Sequence, residues 1–126
     1  MSALIIEGTK NTPAVVFDPS VGRYLISGIS TPMNAMEFYT PLMEWIKSNR
    51  SIIGNKAIFT VELSYYNSAS MKTLLMTLQE VKAGRDEGLD WGIDWVVDDE
   101  DEFMQEGAES YQELLDFEFN IVQKGS

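Results

Sequence analysis

Read for its hydrophobic pattern, the chain alternates between strand-like and helix-like runs. Lys56–Ser64 is dense in β-branched and aromatic residues and predicts a mostly buried strand. Soon after it, Met71, Leu74, Leu75, Leu78 and Val81 recur at the spacing of a helix whose apolar stripe lies on a sheet. Between them is a short polar loop, Tyr65-Tyr66-Asn67-Ser68-Ala69-Ser70. Such a loop puts its hydroxyls at the carboxyl edge of a sheet, beside unpaired N–H groups and the positive end of a helix dipole.

The rest of the chain reads as scaffold. Ala3–Ile6 predicts a short edge strand. Pro13–Asp18 and Arg23–Ile29 predict a hairpin around the turn-forming Asp18-Pro19-Ser20-Val21-Gly22. Ser30–Asn34 links to a helix with Ala35, Phe38, Leu42, Trp45 and Ile46 as its stripe. Asn34 and Glu37 have capping-box spacing, and Pro41 predicts a kink near residues 36–40 or an irregular start. Ser51–Asn55 reads as a connector and Gly84–Gly88 as a turn. Asp90–Val97 alternates as a strand with one buried and one more open face. Phe103, Met104, Gly107, Ala108, Tyr111, Leu114 and Leu115 follow at helical spacing, Phe117–Val122 predicts a last strand, and Gln123–Ser126 is expected to fray. This order predicts one α/β domain over residues 1–126, a mixed sheet with three main helices packed on it. Trp45, Phe59, Val61, Leu75, Leu78, Trp95 and Tyr111 are its expected core.

Composition changes the picture in two places. The chain has no cysteine and no histidine, which removes disulfides, thiolate chemistry and the commonest general base and metal ligand. That argues against an enzyme. A net charge of −11 repels nucleic acid and anionic membranes, and favours partners with basic or apolar faces. The N-terminus lacks a basic n-region, and no apolar run approaches the ~20 residues of a membrane span, so a cytoplasmic protein is expected. The acidic run Asp98–Glu102 lacks the spacing and glycine of a calcium loop and reads as a solvated helix start. No metal or cofactor is expected. Glu62 reads as an exposed strand end, and of Tyr65 and Tyr66 one is expected to pack and the other to face a partner.

Ser68 has two readings on spacing alone. It, Asn67 or Ser70 is the helix N-cap, or Ser68 is a phosphoacceptor whose phosphate would meet free N–H donors, the helix dipole and Lys72 one turn on. The spacing leaves both open.

The segment Leu63-x-Tyr65-x-Asn67-Ser68-x-Ser70-x-Lys72 resembles the pattern of the SiaC-like family of bacterial regulatory phosphoproteins. The likeness extends to Gly8-Thr9 with Thr12-Pro13-Ala14, to Phe38-Tyr39-x-Pro41-Leu42-x-x-Trp45-Ile46 and to Phe117-x-Phe119, nearly the whole chain. The resemblance implies a fold like the STAS (anti-sigma-factor-antagonist) domains and a role in partner switching. It implies that a serine/threonine kinase phosphorylates the loop hydroxyl and a PP2C-type phosphatase removes the phosphate. The unphosphorylated form would bind and activate a diguanylate cyclase, linking the switch to cyclic-di-GMP and biofilm formation. Carried onto this chain, Ser68 is the acceptor where a family member has threonine. Tyr65, Tyr66, Asn67, Ser70, Met71 and Lys72 are the expected partner-binding surroundings. The loop lacks the Asp-Ser-Ser/Thr-Gly pattern of ordinary antagonist domains. Two rivals remain: a small-ligand module using a cleft between sheet and helices, and, weaker, a hydrolase built on paired carboxylates.

Overall fold

The computed structural model describes residues 3–124. Strands β1 (Leu4–Ile6), β2 (Ala14–Asp18) and β3 (Arg23–Ser30) form an antiparallel meander. The chain then crosses over through α1 (Ala35–Ser48) and α2 (Arg50–Ile53) to β4 (Lys56–Tyr66). Two further crossovers, α3 (Ser68–Asp86) to β5 (Asp90–Val97) and α4 (Glu102–Leu115) to β6 (Asn120–Gln123), add parallel strands. The sheet order is β1-β2-β3-β4-β5-β6, and β3 to β6 run parallel. The mixed α/β architecture expected from the sequence is present, with the extra short helix α2 where a plain connector was read.

Strand periodicity decides where the core sits. Ala57, Phe59, Val61 and Leu63 of β4 and Trp91, Ile93, Trp95 and Val97 of β5 are buried on the helix-covered face, while Ile58, Gly92 and Asp94 face the open side. Phe59 packs against Tyr24 (centroids 4.9 Å apart) and Trp91 (5.5 Å), and Trp95 against Tyr111 (5.3 Å). Side chains therefore fill the layer where a ligand cleft was considered.

Several expectations shift. The inner face of α3 is Ser70, Thr73, Leu74, Thr77, Leu78, Val81 and Gly84. Leu75 is only partly buried against the core, and Met71 is exposed. Ser70, Thr73 and Thr77 are polar, so an apolar stripe does not register them. Tyr39 likewise replaces Phe38 in the buried face of α1, and Trp45 is partly buried. Helix α1 runs unbroken from Ala35, its cap Asn34 accepting the Glu37 N–H at 3.0 Å, with Pro41 on the exposed side. Helix α3 continues through Gly84, where the Trp91 ring fills the space a Cβ would need. Residues 117–119 precede β6 rather than joining it, although Phe117 and Phe119 are buried. Glu62 is mid-strand on the open face and pairs with Lys124 at 2.9 Å, which raises the pKa of that ammonium through hydrogen bonding and charge. The expected fraying partly lies outside the described residues, and Gln123 is in β6.

Candidate functional site

Because β3, β4 and β5 are parallel, the helices that follow them all begin at one edge of the sheet. Each start is capped the same way: Asn34, Asn67 and Asp101 accept the N–H three residues on, from Glu37, Ser70 and Met104. The loop singled out in the sequence is the middle one.

A bulge delivers it. Gly28 pairs with Leu63, but Ile29 pairs with Tyr65, so Ser64 is an extra residue on β4. Gly28 has φ +114°, a conformation that favours glycine. Without the bulge, alternation would turn Tyr65 inward and Tyr66 outward. With it, Tyr66 is buried at 3% exposure and Tyr65 is 48% exposed. Tyr66 stacks on Tyr111 and touches Phe103, and its hydroxyl lies over Gly107, so it supports the site from inside and is not a surface contact.

Asn67 is the N-cap of α3, its side chain accepting the Ser70 N–H at 2.9 Å. Ser68 is the first helical residue. Its side chain is exposed and makes no hydrogen bond among the described residues. Ser70 is the opposite case, wholly buried. Its hydroxyl donates to the Ser30 carbonyl (3.0 Å) and accepts from the Ser30 hydroxyl (2.9 Å). Since Ser30 has spent its one proton, the Tyr39 hydroxyl donates to Ser30 Oγ at 2.7 Å. The same Ser30 carbonyl also accepts the Asn67 N–H at 3.1 Å. Burial drives the Tyr39 pKa up to about 12, against a smaller lowering by Ser30. Ser70 is thus a fastener between α3, β3 and α1, and its placement among partner contacts is corrected. Thr73 is also internal, donating to the Ala69 and Ser70 carbonyls.

Around Ser68 the surface is apolar. Met71, Met36 and Met33 are exposed, as is Phe103, which stacks on Tyr65 at 5.8 Å. Lys72 is exposed one turn along α3. Ser30, Tyr39, Met33 and Phe103 were not picked out by the sequence reading as parts of this site. Tyr39 lay within the family-like segment, but its role depends on a contact nine residues away in sequence. Among the described residues no group of three or more carboxylates is arranged to hold a metal ion. No helix there is long and apolar enough to cross a membrane.

The model of the SiaC family of regulatory phosphoproteins matches residues 6–124. The chain belongs to that family. An uncharacterised protein of Pseudomonas aeruginosa strain UCBPP-PA14 is 29% identical over 121 residues, 96% of each chain. Apo-SiaC of Pseudomonas aeruginosa superimposes with a TM-score of 0.84 at 28% identity, over 97% of this chain and 99% of that one. The same SiaC of Pseudomonas aeruginosa is also solved as activator in complex with the diguanylate cyclase SiaD. It gives a TM-score of 0.81 at 25% identity, over 98% of this chain and 99% of that chain.

Proposed function

We propose that this protein is a non-catalytic partner-switching regulator that binds and activates a diguanylate cyclase, and that phosphorylation of Ser68 releases it. One observation carries the reading. Of the three hydroxyls in the first two turns of α3, Ser70 and Thr73 are buried and hydrogen-bonded, and Ser68 alone is exposed and unengaged. Asn67 takes over capping, so Ser68 is dispensable for the helix.

The chemistry of the switch follows from charge. A neutral serine fits beneath an apolar partner surface. Its phosphate brings about −1.5 to −2 charges and three acceptor oxygens, which a partner lacking a basic pocket cannot cover. The fold itself tolerates the group, because the α3 N-terminus and Lys72 lie beside it. A serine/threonine kinase and a PP2C-type phosphatase would set the state, and cyclic-di-GMP would be the output. Tyr65, Met71 and Lys72 are the proposed surface contacts, with Asn67 holding the loop. Intact-mass measurement of protein purified from its own host, before and after phosphatase, with site mapping, is the test. One phosphate on Ser68 is expected. A phosphate found only on Ser70 or Thr73 would count against the assignment.

A further inference from the structure

The sulfur of the chain is unevenly placed. There are seven methionines and no cysteine, so a two-electron oxidant meets no thiol and the thioethers are its first targets. Access then divides them. Met104 is wholly buried, and Met43 and Met76 are partly buried. Among the described residues the exposed ones are Met33, Met36 and Met71, at 106%, 48% and 43% exposure. All three lie around Ser68. Helices α1 and α3 begin at the same edge of the sheet. Met33, just before α1, and Met36, in its first turn, therefore line one open groove together with Ser68. Met71 stands three residues after Ser68 on α3, a neighbour on the helix surface. The readily oxidised indoles are sheltered: Trp91 and Trp95 are wholly buried and Trp45 is partly buried.

Resting on the reading of Ser68 as the switch, we propose that Met33, Met36 and Met71 are a peroxide-sensitive set that gives the switch a second input. Each sulfur donates an electron pair to one oxygen of hydrogen peroxide. The S–O bond forms as the O–O bond breaks, and the proton on the transferred oxygen passes to the departing hydroxide, which leaves as water. Sulfur loses two electrons and the peroxide gains them. The product is a polar sulfoxide in place of an apolar thioether. Three such changes beside Ser68 take away apolar surface without altering the net charge. A protein that covers Ser68 loses that contact, so oxidation lowers partner affinity in the absence of phosphate. The three side chains lie outside the hydrophobic core, so the fold survives. Methionine sulfoxide reductase with a thiol reductant removes the oxygen as water and restores the surface.

The test treats the full, unphosphorylated chain with hydrogen peroxide, removes the peroxide with catalase, and locates sulfoxides by peptide mass spectrometry. Affinity for an untreated, purified diguanylate cyclase of the same host is measured before treatment, after it, and after repair by the reductase. Met33, Met36 and Met71 should be oxidised well before Met104, with the melting temperature kept. Affinity should fall about tenfold or more and recover on repair. A triple variant, Met33→Leu, Met36→Leu and Met71→Leu, is compared only with its own untreated sample, and peroxide should not weaken its binding further. Oxidation of Met104 as fast as the exposed set overturns the proposal. So do sulfoxides at all three positions with affinity unchanged, or a triple variant as peroxide-sensitive as the parent. No cyclase binding before treatment, or equal binding with and without phosphate on Ser68, counts against the functional reading and takes the proposal with it.

Discussion

The two faces of the first turns of α3 use the same chemical group for opposite ends. Inward, the Ser70 and Thr73 hydroxyls are committed to carbonyls, and Ser70 ties three elements together through Ser30 and Tyr39. Outward, Ser68 offers an uncommitted hydroxyl at the positive end of the helix. A buried polar group must be satisfied or it destabilises the fold, whereas an exposed one is free to be modified. The inner face therefore makes the outer face usable. In the proposed switch it is the inner face that anchors the loop when charge is added at Ser68.

Substitutions can break or sharpen this contrast. The largest loss is expected for Leu74→Ala, wholly buried on the inner face, at ~2–5 kcal/mol in denaturant unfolding. Leu75→Ala, on the partly buried flank, should cost clearly less. Ser70→Val leaves the Ser30 hydroxyl and carbonyl each short of a partner and should cost ~1–3 kcal/mol. Tyr39→Phe should cost ~0.5–1.5 kcal/mol near neutral pH. Its pH signature is specific: the folded-state pKa lies above the unfolded value of 10.0, so Tyr39 stabilises below pH 10. That contribution is lost as pH rises from about 10 through about 12, so Tyr39→Phe should unfold less steeply in that window. Smallest is the capping pair. Asn67→Ala should lower stability by ~1 kcal/mol, whereas Ser68→Ala should stay within ~0.5 kcal/mol. A reversed order in thermal or denaturant melts would return the cap to Ser68.

What the sequence made legible was whatever depends on local period. The buried strands β4 and β5 read correctly because Phe59, Val61, Trp91 and Trp95 alternate. The position of the loop followed from the strand and helix that flank it. What stayed hidden depends on partners distant in the chain. Nothing local marks Ser64 as a bulge, so the inversion of Tyr65 and Tyr66 needed the β3 pairing. Ser70 resembled a surface serine until Ser30, forty residues away, was placed against it. Thr73 and Thr77 defeated the apolar stripe because their hydroxyls bond to carbonyls of their own helix, which lets small polar side chains be buried. The family pattern around Asn67-Ser68 was legible as a resemblance, but that Asn67 rather than Ser68 caps the helix was not.

The most direct test of the switch is calorimetric titration of a host diguanylate cyclase with the chain carrying no phosphate and with the chain phosphorylated stoichiometrically at Ser68. The account predicts tight binding and cyclase activation by the first, loss of both by the second, and nearly equal melting temperatures for the two forms. Equal affinity in both states, or a phosphorylated form that loses the partner only because it has unfolded, would contradict it.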